Sequence, residues 1–246
     1  RTSGEENIII AAKPETNTRA MLILADGVQI DLVHDLPEVV EQKRAIIRGE
    51  NGKLLYEVKR DSLLNDETVE ETFNRVVTYV GGDYFLTLSD GTRVWLNADS
   101  ELEFPVSFVR NERVVKLQGE AYFEVQRDVN KPFIVDANGL RTRVLGTSFN
   151  VKAYRDEQNV FTTLVKGSVA VEVLDNGNVP TSRVVLEPGM QAMWHEGSKA
   201  ISVQPVNVAN IAAWKDGKFI FTEEDIEVVL RTLSRWYGVH FICKDT

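Results

Sequence analysis

Reactive chemistry is what this chain most lacks. It has one cysteine, Cys243, and three histidines, His34, His195 and His240, set far apart. A lone cysteine excludes an internal disulfide and leaves the redox compartment open. The histidines form no HxH or HExxH spacing and no CxxC accompanies them, so no metal site is expected and they read as surface or strand residues. No GxSxG elbow presents a nucleophile, and neither GxxxxGK[ST] nor a GxGxxG after a strand is present to cradle phosphate; Gly81-Gly82 is a bare pair. No cofactor is implied. Long apolar runs are also missing: Ile8-Ile-Ile-Ala-Ala12 falls well short of the roughly 20 residues that cross a bilayer. The chain opens at Arg1 without a methionine and reads as an excised piece whose targeting information lies outside it. Positive charge is in deficit, with 28 Lys and Arg against 37 Asp and Glu and a net charge of −9. That balance repels nucleic-acid phosphates and anionic lipid, so neither is an expected partner.

Two features deserve weighing as enzyme-like. Glu120 and Glu124 lie four apart on one strand pattern, about 13 Å at ~3.3 Å per residue. Paired carboxylates of glycoside hydrolysis stand roughly 5–9.5 Å apart, so this pair reads as a solvated strand face. Trp95, Trp194, Trp214 and Trp236 could form a sugar-stacking platform, yet Trp236 falls on an apolar helix stripe and Trp95 and Trp194 lie in strand patterns, which suits core or interdomain packing. The chain is not expected to be an enzyme.

What is present is a succession of short strands. Expected strands cover Ala20–Leu24, Val28–Val33, Lys53–Lys59, Tyr84–Leu88, Thr92–Leu96, Arg113–Gln118, Leu140–Leu145, Phe149–Tyr154, Val160–Lys166, Ser168–Leu174 and Arg183–Leu186. In Gly119–Val125, Ala121, Phe123 and Val125 alternate with Glu120, Tyr122 and Glu124, the period of a half-buried strand with the second set facing solvent. Asp26-Gly27, Asp90-Gly91, Asp216-Gly217, Asn51-Gly52 and Asn176-Gly177 favour tight type I′ hairpins. Many strands at short spacing predict a mainly β chain, an antiparallel sandwich or jelly-roll-like domain. Leu24–Ile30 and Leu88–Val94 echo one another across 64 residues as strand, Asp-Gly turn and strand. They read as two related hairpins in one sandwich.

The tail differs. Thr222-Glu-Glu-Asp225 resembles a capping box, and Ile226, Val229, Leu230, Leu233, Trp236 and Tyr237 follow helical spacing up to Gly238. A strand at Lys218–Phe221 before this helix and one at Val239–Ile242 after it make a β-α-β unit. Two strands and a helix cannot cover both their faces, so the unit reads as the first part of a small α/β domain.

Several blocks, in order, resemble the periplasmic region of FecR-like transmembrane anti-sigma factors of the Bacteroidetes type. They are Leu86–Ala98, Leu117–Val125, Lys131-Pro-Phe133, Val144–Val151, Thr162–Val169, Leu186–Gln191 and Trp214–Phe221. The resemblance spans roughly Phe73 to Phe241 and is weaker before Thr72. It implies three parts: residues 1–19 as a linker from a membrane span outside the chain, 20–210 as the β-sandwich sensor, and 211–246 as the start of a small signalling-like domain similar to the secretin/TonB short N-terminal fold. It further implies the periplasmic region of a single-pass inner-membrane protein. Such a protein relays the substrate-loaded state of an outer-membrane TonB-dependent transporter to an extracytoplasmic-function sigma factor. The partners implied are the transporter's signalling domain and, through a cytoplasmic segment outside this chain, the sigma factor.

An acidic, motif-poor module with an open β-α-β edge suits protein recognition independently of that resemblance, because a free strand edge templates strand addition. Phe219, Phe221 and Trp236 are the expected partner-binding residues. The rival readings are a β-sandwich carbohydrate-binding module or glycoside hydrolase-like protein, and a purely structural assembly protein. In some relatives a Gly-Thr bond is self-cleaved, and the matching bond is Gly146–Thr147. Threonine can attack the preceding carbonyl, but that requires a base and an oxyanion donor which the sequence does not identify. The plainer reading has Gly146 permitting a bend between strands.

Overall fold

The structure, a computed structural model, describes residues 8–9, 20–32, 40–42, 45–50, 52–59, 70–175, 179–222 and 224–242. His34, Cys243, Asn51 and the Asn176-Gly177 turn lie outside the described residues. The strands in chain order are β1 (Ile8–Ile9), β2 (Ala20–Ile23), β3 (Gln29–Asp31), β4 (Val40–Glu41), β5 (Ala45–Glu50), β6 (Lys53–Val58), β7 (Phe73–Thr78), β8 (Tyr84–Thr87), β9 (Arg93–Leu96) and β10 (Ser100–Pro105). They continue as β11 (Arg113–Glu124), β12 (Phe133–Ala137), β13 (Leu140–Val144), β14 (Ser148–Ala153), β15 (Asn159–Lys166), β16 (Val169–Leu174), β17 (Pro180–Leu186), β18 (Met190–His195), β19 (Ile201–Pro205) and β20 (Phe219–Ile220). Helices α1 (Val208–Ala212) and α2 (Ile226–Tyr237) complete the chain, with a 3-10 turn at Ala213–Asp216.

Two sheets emerge from the pairings. The first runs β3-β2-β7-β10-β11-β12-β13-β16-β17. The second runs β4-β5-β6-β8-β9-β11-β14-β15-β18-β19. Their inner faces share one apolar core, as expected for a sandwich. Leu22, Val76 and Leu102 come from one sheet and Leu54, Leu86 and Val94 from the other, all buried. Tyr56 meets Phe104 edge-on across the gap at 5.1 Å, and Phe123 stacks on Phe149 at 5.2 Å. Each such side chain contributes about 1.5–3 kcal/mol through area removed from water. Several of the polar groups that enter the core are paired. Asn74 donates to the Tyr56 hydroxyl at 3.0 Å, and the Thr142 and Thr162 hydroxyls bond each other across the sheets at 3.0 Å.

The antiparallel expectation meets two exceptions, β6–β8 and β11–β12, which are parallel. The second exception exists because β11 serves both sheets. Its first half pairs with β10 and β12, while Gly119–Glu124 pair with β14. The crossing point is Gly119, at φ +94, where a Cβ would fall 2.2 Å from the Ser100 hydroxyl oxygen. Only glycine allows both that backbone angle and that approach. The expected separate strands at Arg113–Gln118 and Gly119–Val125 are therefore one strand bent between layers.

Turn chemistry follows the sequence with two corrections. At Leu24–Val28 and Leu88–Thr92 the glycine amide donates to the first leucine carbonyl at 2.9 Å, and the leucine amide closes a three-residue loop. Asp26 and Asp90 each accept from the amide two residues on, at 3.0 and 2.9 Å. The echo between these segments is thus a shared geometry. They are not type I′ turns, because only Gly27 and Gly91 take positive φ; the aspartates stay at negative φ and use their carboxylates instead. The pair with positive φ at both positions is Asn138-Gly139, between β12 and β13. Asp216-Gly217 makes no hairpin: Gly217 ends the 3-10 turn in the left-handed region.

Gly119→Ala is expected to cost about 3 kcal/mol or more in urea denaturation, since strain and overlap combine. Gly27→Ala, where no atom lies within 4 Å of the new Cβ, is expected to cost about 1 kcal/mol from φ alone.

Candidate functional site

The outer face of the second sheet is covered, not solvated. Tyr122, expected beside Glu120 and Glu124 in water, is 4% exposed and joins Ala98, Trp214, Phe219 and Trp236 in a second apolar cluster. The C-terminal segment from α1 to α2 lies over it. That segment is built differently from the expected β-α-β unit. β20 pairs antiparallel with β1, Ile8 opposite Ile220 and Ile9 opposite Phe219, so the partner comes from the stretch expected to be a linker. Val239–Ile242 forms no strand; no strand among the described residues lies against it, and an extended segment becomes a strand only by pairing. The α2 cap is Asp225, whose Oδ1 accepts from the Glu227 amide at 2.9 Å. Thr222, the expected cap, accepts instead from Asn210 Nδ2 at 3.2 Å, because the helix starts too late for it to reach. Gly238 ends α2 in the left-handed region, as expected.

Arg235 seats this segment. It is 6% exposed and its guanidinium lies 3.7 Å from the Tyr154 ring centroid. Its two Nη atoms donate to Asp156 Oδ1 and Glu157 Oε1, both at 2.5 Å. Its carbonyl accepts from the Gly81 amide at 2.7 Å. Lys152 adds a second cation to Glu157 at 2.9 Å. Burial alone pushes the Glu157 carboxyl up, but Lys152 and Arg235 outweigh it and hold the group below the usual carboxylate range. Burial likewise opposes charge on Arg235, and the Glu157 bond and charge hold it above its ordinary value.

Between this segment and the sheet lies a cleft of about 610 Å³, of ordinary small-molecule size. A polar chain crosses its floor. Trp214 Nε1 donates to Asn150 Oδ1 at 3.2 Å, Asn150 Nδ2 donates to Glu120 Oε1 at 2.8 Å, and Asn97 Nδ2 donates to Glu120 Oε2 at 2.8 Å. Burial pushes the Glu120 carboxyl up; Lys152 and the two amide donors partly offset it. From α2, Val228, Arg231, Thr232, Arg235 and Trp236 line the cleft. The expected apolar stripe is unevenly covered: Trp236 is buried, Val229, Leu230 and Leu233 are half-buried, and Ile226 is 63% exposed.

The structure brings together some expected residues and separates others. Phe219 and Trp236 meet edge-on at 4.6 Å, each buried, while Phe221 stacks on Phe219 at 6.1 Å and stays partly exposed. Glu120 faces the cleft, whereas Glu124, four residues further along β11, pairs with Arg93 of β9. Thr147 is buried and its hydroxyl donates to the Ser168 carbonyl at 3.0 Å. A Cβ on Gly146 would fall 2.7 Å from Arg127 Cα, so close packing by itself requires glycine there. His195 and His240 are exposed, and no group of three metal-ligating side chains occurs among the described residues. Arg235, Asp156, Glu157, Asn97 and Asn150 were not singled out from sequence. The available signal was the placement of Arg235 seven residues after Val228, on one helical face.

These features define a class: a two-layer β-sandwich module carrying a docked C-terminal segment. The comparisons with known proteins narrow it. The family described as FecR protein matches residues 74–170, and the one described as FecR, C-terminal matches residues 218–246. Two crystal structures, each of a candidate anti-sigma factor from Parabacteroides distasonis ATCC 8503, at 1.65 and 2.50 Å, are similar to this chain. The two structures are 33% and 32% identical and cover 67% and 68% of this chain and 74% and 75% of that chain, with TM-scores of 0.61 and 0.62. No curated protein matches. The chain belongs to the FecR family of anti-sigma factors. That family is regulatory and non-enzymatic, acts on sigma factors, and its members are membrane-anchored. No helix among the described residues is long and apolar enough to cross a membrane.

Two predictions concern this region. Arg235→Ala leaves Glu157 with one cation and removes the stacking on Tyr154; a docking loss of about 3 kcal/mol is expected, read as proteolysis within residues 207–242. Because the folded pKa of Glu157 lies below its unfolded value of about 4.3, its contribution is complete above that pH and is lost as pH falls through the folded value. Glu120 acts with the opposite sign, its contribution fading as pH rises. Hydrogen-exchange protection of α2 is therefore expected to fall below about pH 4 in the native chain, and less steeply in Glu157→Gln. For the Gly146–Thr147 bond, intact-mass measurement is expected to show one full-length species. Two fragments split after Gly146 and absent in Thr147→Ala would establish self-cleavage instead.

Proposed function

We propose that this chain is the periplasmic sensor portion of its FecR-like protein. It relays the substrate-loaded state of an outer-membrane TonB-dependent transporter to an extracytoplasmic-function sigma factor. What supports the reading is the separately seated C-terminal segment, which coincides with the FecR C-terminal match and leaves Ile226 exposed and the rest of its apolar stripe up to Leu233 only half-covered. The transporter's signalling domain docks on that segment. Ile226, Val229, Leu230, Leu233 and the partly exposed Phe221 supply the contact, while Phe219 and Trp236 hold the segment beneath it. The sandwich, 20–210, is the supporting body and residues 211–246 the signalling-like part; a span and a sigma-binding segment outside these residues complete the path across the inner membrane. A net charge of −9 and a site whose strongest groups are spent on internal ion pairs both suit relay by contact.

The test measures affinity for the isolated signalling domain of the transporter. Leu230→Asp, on the half-covered stripe, is expected to weaken binding by about tenfold or more, and deletion of Lys218–Thr246 to abolish it. Affinity unchanged by the deletion would move the contact onto the sandwich.

A further inference from the structure

The two sheets of the sandwich end in four edges among the described residues: β3 and β17 bound the first, β4 and β19 the second. A free edge presents unpaired N–H and C=O groups, and natural edges are blunted by shortness, proline or charge. β3 and β4 have three and two residues, and β19 ends on Pro205. β17 is different. Its seven residues pair with β16 on one side, no strand among the described residues pairs on the other, and Val185 is 63% exposed. Its prolines stand at the limits, Pro180 at the start and Pro188 just past the end.

The outward side chains of β17 belong to a charge pattern that crosses the first sheet. Glu103, Lys116, Asp136, Arg141, Glu172 and Arg183 stand opposite one another in turn on β10, β11, β12, β13, β16 and β17. The sign alternates at every step. Lys116–Glu103, Arg141–Asp136 and Arg183–Glu172 lie 2.8, 3.7 and 3.4 Å apart. The row ends on a cation at the free edge, and Glu172 stands between two cations, Arg141 and Arg183. An anion is therefore the residue that continues the row. Strand period puts Glu187, one residue past β17, on the same outward side as Arg183 and Val185. Glu187 is exposed, and its carboxylate has no ion-pair partner among the described residues.

Cation, apolar residue and anion at Arg183, Val185 and Glu187 are complementary to their own reversal. Antiparallel pairing of two β17 edges about a two-fold axis at Val185 sets Arg183 of each copy opposite Glu187 of the other, and Val185 opposite Val185. On the inward face, Val184, which packs against the core, comes opposite Leu186. An axis at Arg183 would oppose like charges, and one at Val184 would set Arg183 opposite Val185 and Glu187 opposite Thr181. Pro188, which has no N–H, ends the ladder just beyond the charged pairs.

We propose that two copies of this chain associate through β17, paired antiparallel about Val185, so that the first sheet runs unbroken across the dimer. Exposed ion pairs add little energy, so main-chain bonds and the covered valines hold the copies together and the charges select the register. The alternating row then continues from Arg183 to Glu187 of the second copy.

Sedimentation velocity at rising concentration, up to about 1 mM, is expected to show a monomer–dimer equilibrium. Arg183→Glu and Glu187→Arg each set like charges opposite one another twice in the dimer, and each is expected to weaken association about tenfold or more. The two variants mixed are expected to form a heterodimer, because every opposed pair then has opposite signs, and the double substitution to regain the homodimer. Such rescue separates a lost interface from lost folding. Glu187→Arg, at an exposed position past the strand, serves alone if Arg183→Glu, beside Glu172, does not fold. In a Cys243→Ser background, Val185→Cys is expected to give a disulfide-linked dimer and Val203→Cys on β19 none. A chain that stays monomeric throughout, whether or not its edge captures a strand of another protein, overturns the proposal. So does a dimer that Glu187→Arg leaves unchanged. Neither the transporter nor the C-terminal segment enters the assay, so its failure leaves the relay reading standing.

Discussion

The architecture turns on Gly119. A single residue at positive φ, packed where no Cβ fits, lets β11 leave one sheet and enter the other. Continuity through this strand joins two sheets that share a core, and it sets which side chains of Gly119–Glu124 face inward. Ala121 and Phe123 enter the core, while Glu120 and Tyr122 face the opposite side. The site's floor is therefore a consequence of the bend. Asn97 and Asn150 reach Glu120 because β9 and β14 flank the second half of the same strand.

What lies over that floor is held by a compromise between polar and apolar forces. Of its apolar stripe α2 fully buries Trp236 alone, and it sets Arg235 beside that tryptophan against the sandwich. Burying a guanidinium is unfavourable unless its donors are met. Here two carboxylates and a tyrosine face meet it, and Lys152 shares the charge of Glu157. The arrangement concentrates the docking at the C-terminal end of the helix, where Arg235 and Trp236 are buried, and leaves the first turns half-covered. A segment held at Trp214, Phe219 and the end of α2, with a cleft beneath and a half-covered apolar stripe, can exchange partners without disturbing the main core. That separation is the physical basis for reading the protein as a relay within the FecR family.

The two carboxylates on β11 show how environment assigns roles to identical side chains. Glu124 sits in an ion pair with Arg93 near the strand end, and Glu120 is drawn into a low-dielectric floor where its proton affinity rises. Their separation along the strand already argued against hydrolysis, and their different surroundings show that they do not act as a pair.

Local alternation and turn chemistry determined much by themselves. Strands such as Lys53–Val58 and Tyr84–Thr87 were legible because period-2 patterns bounded by Gly and Asp leave few other conformations, and α2 with Gly238 was legible from helical spacing. Others, including Phe73–Thr78 and Phe133–Ala137, were not read as strands. The Phe133 run is buried nearly throughout, which erases the alternation. Only the tertiary structure decided which strands pair, that Ile8–Ile9 rather than Val239–Ile242 meets β20, and that the face bearing Tyr122 is covered. The partners of Arg235 come from some 80 residues earlier in the chain. Pairing energy at that distance exists only after the sheets have closed, so no local pattern carries it.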